Sequence, residues 1–95
     1  MDQNVEVSII SPVFNESENI ENFVTRVFQT MRESGLSWEL IIVDDGSTDG
    51  SSDALKRLSQ EKSELRVLVL SKNFGQTPAI QAGFDIARGK YYVTL

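Results

Sequence analysis

The sequence predicts an α/β fold, a parallel sheet of four strands in the order 3-2-1-4 with helices against both faces. Three observations lead there. Aliphatic runs alternate with segments of helical periodicity in the order β-α-β-α-β-α-β. Two of the later runs, Leu40-Ile41-Ile42-Val43, which is continuous rather than alternating, and Leu65 to Leu70, which is almost wholly apolar, read as strands covered on both faces. Right-handed crossovers then leave few topologies, of which 3-2-1-4 is the best fit.

Val5, Val7, Ile9 and Ile10 make the first strand, and Ser11-Pro12 is expected to stop it, because proline removes a ladder donor. Ile20, Phe23, Val24, Val27, Phe28 and Met31 then fall on one face of a helix. Asn15 and Glu18 have the spacing of a capping box, and Gly35 supplies a left-handed stop. Leu40 to Val43 is the second strand, opened by Trp38 as a packing residue. In the second helix Ala54, Leu55 and Leu58 mark the buried face, with Ser47, Thr48 or Asp49 as caps. Leu65 to Leu70 is the third strand. Thr77 as cap and Pro78 at the first helical position start the third helix, Ile80, Gly83, Phe84 and Ala87 share its face, and Gly89 ends it. Tyr91 to Leu95 begins a fourth strand.

Composition narrows the chemistry. The 95 residues set a ceiling of one domain. Histidine and cysteine are both absent, so a Ser-His-Asp triad, a histidine base, a thiolate metal site and disulfides are all excluded. The net charge of −5 argues against nucleic acid or an anionic membrane as a partner recognised through charge. No apolar run approaches a membrane span and the N-terminus is too polar for a signal peptide, so the chain is expected to be cytoplasmic.

In such a sheet the carboxyl ends of the strands share one edge, where ligands bind. Ser11 to Glu16, Asp44 to Ser47 and Ser71 to Gly75 meet there. The pair Asp44-Asp45 is the sharpest signal: adjacent carboxylates at the end of a buried strand require donors or a cation. One can accept a ring imide N–H of uracil or guanine while its neighbour takes ribose hydroxyls or a metal; both could equally cap the next helix in solvent. Phe14 offers a stacking face and the Asn15 backbone a bond to a base, although a plug and a cap account for the same residues. Lys72, Asn73, Phe74 and Gly75 suit a phosphate or sugar hydroxyl, as do many polar turns. Neither GxGxxG nor GxxxxGK[ST] is present, so a nucleotide would be held without a glycine-rich phosphate cradle.

Together SIISPVFNESENI, ELIIVDDGSTDGS and LSKNFGQTPAIQAGFDIARGKYYVTL resemble the opening of family 2 glycosyltransferases, in particular the branch that loads sugars onto dolichyl or other polyprenyl phosphates. The resemblance spans residues 6 to 95. It implies a GT-A fold, of which residues 1–95 would be a single nucleotide-binding subdomain, the Rossmann-like three-layer α/β/α half, truncated after the fourth strand. It also implies inverting transfer of a sugar from a UDP- or GDP-linked donor to a polyprenyl phosphate or a glycan, with divalent Mg or Mn as cofactor. By the same resemblance Pro12, Phe14 and Glu16 contact the nucleoside, Asp44 binds the base, and Asp45 and Ser47 complete that loop. Lys72, Asn73, Phe74 and Gly75 lie near the donor; relatives often have Arg in place of Lys72, and many have Lys in place of Gln76.

The family's DxD metal motif is expected just after Leu95 and its catalytic base further on. No catalytic residue and no metal ligand is therefore expected within this chain, which would bind no metal tightly by itself. The parent would be an enzyme at the cytoplasmic face of the membrane. Two other readings stand beside this one: a noncatalytic α/β module that forms a homodimer through the open edge of the fourth strand, and a receiver-like signalling domain. The latter places its acidic pair after the first strand, whereas Asp44-Asp45 follow the second.

Overall fold

The computed structural model describes residues 4–95. Its elements are β1 (Val7–Val13), α1 (Ile20–Ser34), β2 (Trp38–Asp44), α2 (Ser51–Glu61), β3 (Leu65–Val69), α3 (Gln76–Ile86) and β4 (Tyr91–Thr94). The four strands form one parallel sheet in the order β3-β2-β1-β4, as the sequence predicts. Period-two alternation divides the core. Ile9, Val13, Leu40 and Ile42 face α1 and α2, whereas Ile10, Ile41 and Val43 face α3.

Every β2 residue is buried, which is why its centre, Leu40 to Val43, is aliphatic without a break. Trp38 packs edge-on against Phe28, centroids 4.6 Å apart. Gly83 sets the approach of α3, since a Cβ there would lie 2.5 Å from Ile10 Cγ2. Beneath α3, at the amino ends of the strands, buried Glu39 accepts from Ser8 Oγ (2.6 Å), the Arg88 amide (2.7 Å) and Arg66 Nη1 (2.9 Å). Burial alone would raise this carboxyl; the donors outweigh it and hold Glu39 below the ordinary 4.5.

Five local expectations are corrected. β1 does not stop at Pro12 but runs to Val13. Glu6 and Ile10 accept from β4 residues, so Pro12, of the same parity, points its nitrogen toward β4, which pairs with β1 only as far as Ile10. No ladder bond is lost. Asn15 and Glu18 form no capping box: α1 starts at Ile20 after a turn in which the Asn19 amide donates to Glu16 O (2.9 Å), while Gly35 at φ 76° does end it. α2 is capped by Gly50, and of the three candidates Asp49 alone assists, accepting from the Ser51 amide at 3.0 Å. α3 starts at Gln76 with Gly75 as cap. Pro78 is thus its third residue, where the missing N–H still has no intrahelical partner. The helix ends at Ile86, before Gly89, because Glu39 takes the Arg88 amide and Ser8 Oγ takes the Gly89 amide (2.8 Å).

Candidate functional site

The carboxyl edge of the sheet gathers the three predicted loops, and hydrogen bonds lace them together. The first loop donates three consecutive amides to side chains of the second: Asn15 to Ser47 Oγ (2.8 Å), Glu16 to Ser51 Oγ (3.0 Å) and Ser17 to Asp49 Oδ2 (3.1 Å). Asn15 Oδ1 accepts the Thr48 amide in return, at 2.8 Å. Asn15 adopts φ 53° to do so, a conformation asparagine tolerates better than most residues. Its amide is therefore engaged by the protein and not left for a base. The Ser51 hydroxyl, followed by the Ser17 and Ser51 amides, draws the Asp49 carboxyl down to about 2 against a smaller opposing effect of burial.

The second loop is bound equally closely to the third. Asp45 Oδ1 accepts from the Phe74 amide (2.8 Å), and Oδ2 accepts from the Gly75 amide (2.9 Å) and Asn73 Nδ2 (3.2 Å). Gly46 makes this contact possible. It sits at φ 77°, and a Cβ would come within 2.3 Å of the Lys72 carbonyl carbon.

The acidic pair is thereby split by environment. Asp45 is saturated by the protein's own donors, an arrangement that answers its charge without a ligand. Asp44 is wholly buried; its Oδ1 accepts the Ser47 amide at 3.0 Å, but its Oδ2 has no hydrogen-bond partner. A buried carboxylate oxygen without a donor is costly and is the group here most in need of one.

The remaining predicted residues surround these two carboxylates unevenly. Pro12, Phe14 and Glu16 line a cleft of about 700 Å³ between the first loop and α1, closed on its helix side by Asn22 and Arg26. Asp44, Asp45, Ser47, Lys72, Asn73 and Gly75 do not line that cleft. Phe14 and Phe74 are both exposed, and Lys72 Nζ lies 5.3 Å from the Phe74 ring centroid. Among the described residues no group of three or more Asp or Glu side chains is placed to hold a metal ion. With Asp45 already saturated, this stretch does not fit a metal centre. The sequence offers Asp49 only as a helix cap and assigns Ser51 nothing; the signal for their lacing role is the density of hydroxyl and carboxylate side chains between Ser47 and Asp53.

A parallel α/β sheet whose strand-to-helix loops converge on one edge is a domain of the doubly wound kind, a class in which ligands bind at that edge. The family model for glycosyl transferase family 2 matches residues 8–95, and the chain belongs to that family. It is 45% identical over 94 residues to the dodecaprenyl-phosphate galacturonate synthase of Rhizobium johnstonii, covering 98% of this chain and 28% of the relative. It is 37% identical over 90 residues to the undecaprenyl-phosphate 4-deoxy-4-formamido-L-arabinose transferase of Salmonella paratyphi B, covering 94% and 28% respectively. The chain thus spans just over a quarter of the length of these relatives. The fold is shared with a mannosyltransferase of Pyrobaculum calidifontis in complex with GDP-Man and Mn2+ (TM-score 0.74, 24% identity, 86% of this chain and 24% of that one). It is shared also with residues 1–349 of S. aureus TarS in complex with UDP (TM-score 0.72, 22% identity, 96% and 27%).

Proposed function

We propose that this chain forms the donor-nucleotide side of an inverting glycosyltransferase that moves a sugar from a nucleoside diphosphate to a polyprenyl phosphate at the cytoplasmic face of a membrane. The observation that carries this reading is Asp44 Oδ2, an unpartnered buried acceptor at the convergence of the three loops. Phe14 and Phe74 then supply ring faces, and Lys72 a cation for the diphosphate. The names of the relatives support the acceptor class. Asp45, Ser47, Asn73 and Gly75 act by fixing the loops.

The divalent cation and the catalytic base belong, in this proposal, to the portion of the parent beyond this stretch. No helix among the described residues is long and apolar enough to cross a membrane. Calorimetric titration with UDP and GDP, with and without Mn2+, should show weak binding that does not depend on the metal. Tight metal-dependent binding, or measurable sugar transfer, would overturn the division of labour.

A second reading, self-association through β4, is favoured by one observation. Tyr91, Tyr92 and Val93 on that strand and Leu95 just past it are all exposed, Tyr91 at 69%, beside a groove lined by Val7, Ile9, Val93 and Leu95. Exposed apolar edge strands recruit partners. Light scattering should give a mass that rises with concentration and returns to the monomer in Val93→Lys. A monomer at every concentration removes this reading.

A further inference from the structure

We infer that the network of Ser8, Glu39 and Arg66 sets the register of β4 against β1. Its functional consequence rests on the proposed transferase, in which the portion beyond this stretch supplies the cation: the register fixes the height and the face at which that portion meets the ligand edge. A slip of one residue would displace it by about 3.3 Å and turn its side chains to the opposite face. The register itself does not depend on that reading.

Register is strongly specified where one face of a strand is buried and weakly where neither is. No β4 residue is buried, and Tyr92, which stacks on Phe84 with centroids 5.4 Å apart, stays half exposed. The backbone bonds of the strand, such as the Tyr91 amide to Glu6 O (2.9 Å) and the Leu95 amide to Ile10 O (3.0 Å), would form equally well after a slip of two residues. The choice of register therefore lies outside β4.

It is made in the connection from α3. Ser8 and Glu39 are buried neighbours across β1 and β2, and Arg66 of β3 donates from Nη1 to Glu39 Oε1 at 2.9 Å. Together they engage backbone groups of the connection. Arg66 Nη1 donates to Ile86 O (2.8 Å), Glu39 Oε2 accepts the Arg88 amide (2.7 Å), and Ser8 Oγ accepts the Gly89 amide (2.8 Å) while donating to that same Glu39 oxygen (2.6 Å). Gly89 lies directly on β1, where a Cβ would come within 2.7 Å of Ser8 N and Oγ. With Arg88 and Gly89 seated, Tyr91 falls opposite Val7. Shifting the connection by one residue would take the amide donors away from a buried carboxylate and hydroxyl, a cost that an exposed ladder bond, remade with water, does not carry. Fixing register is the best-attested use of a buried ion pair.

The test uses the 95-residue chain with a single glycine inserted between Lys90 and Tyr91, which leaves every group of the network in place. NMR contacts between β1 and β4 read the outcome. The residue two places after Gly89 should still face Val7, so that the inserted glycine takes this place and Tyr91 moves opposite Ser8. Tyr91 remaining opposite Val7, with the insertion looped out, overturns the inference. In Ser8→Ala the Tyr91 and Leu95 amides should exchange roughly tenfold or more faster, while the Leu40 amide, bonded to Glu64 O beside β3, changes less. Equal acceleration at all three amides, or none, also overturns it; if this variant does not fold, the insertion decides alone. Neither measurement involves a nucleotide, so the donor site can fail its titrations without touching the register, and the register can fail without touching the donor site.

Discussion

The Gly75 amide donates to Asp45 Oδ2 at 2.9 Å, so a carboxylate just beyond the end of β2 holds the N-terminal cap of α3. The contact satisfies an orphan amide at a helix start and sets a negative charge at the positive end of the helix dipole. Glu39, at the other end of β2, takes the Arg88 amide just past the end of α3. One buried strand thereby fixes both ends of the helix that covers it.

Replacing Asp45 tests the first of these anchors. Asp45→Ala leaves the Phe74 and Gly75 amides without acceptors and should lower the unfolding free energy by about 2–4 kcal/mol. Asp45→Asn retains an acceptor and should cost less. Urea denaturation measures both, and hydrogen exchange at Phe74 and Gly75 should accelerate in the alanine variant before exchange in β2 does. Unchanged exchange at these two amides would show that the third loop is held by something else.

Gly46 and Gly35 form a matched pair. Both have positive φ, 77° and 76°, but a Cβ at Gly35 meets nothing within 4 Å while one at Gly46 strikes the Lys72–Asn73 backbone. Gly35→Ala should cost about 1 kcal/mol, the conformational penalty alone. Gly46→Ala should cost about 3 kcal/mol or more, because the second and third loops must separate. Equal midpoints for the two variants in thermal unfolding would remove the close approach as a cause.

The strand order and the buried faces of α1 and α2 were legible because they depend on continuous aliphatic runs, a 3.6-residue period and crossover handedness; on α3 the predicted face is off by a position, since Ala79 and not Ile80 meets the sheet. Helix starts were less so, since Asn15, Asp49 and Thr77 each carry capping chemistry that a local reading takes at face value. In the fold Asn15 spends its side chain on Thr48 across the loop boundary, and Asp49 reaches Ser17. Hydrogen bonds between residues more than thirty positions apart displace the local ones. The same holds for the acidic pair. Sequence placed Asp44 and Asp45 together, and only the tertiary structure separates a saturated carboxylate from one with an open oxygen.

Ser51 tests the lacing of the first loop to the second. It is fully buried, accepts the Glu16 amide and donates to Asp49 Oδ1 at 2.6 Å. Ser51→Ala should cost about 1–2 kcal/mol, and the Asp49 carboxyl should move back up toward its ordinary 3.8 as its principal donor is lost. NMR titration of the Asp49 side chain reads this directly. A carboxyl that stays near 2 in the variant would assign the shift to the Ser17 amide instead.

Glu39 and Asp49 both couple folding to acid. Each titrates lower in the native state than in the unfolded chain, Glu39 below 4.5 and Asp49 at about 2 against 3.8. The unfolded chain therefore takes up their protons first as pH falls. Their contribution is complete above the ordinary values and is lost progressively below them, with the Asp49 share gone only once pH passes about 2. Unfolding free energies from urea titrations should be nearly level from pH 7 to 5 as far as these groups are concerned, then decline through pH 4 and 3. Asp49→Asn should flatten the lower part of that decline. Glu39→Gln should flatten the upper part, provided Arg66 keeps its bond to Ile86 O; carboxyl NMR titration of the wild-type chain reads the same two groups without a substitution. Stability that stays level from pH 5 to 3, or native titration of either group at its ordinary value, would show that neither carboxylate couples folding to acid.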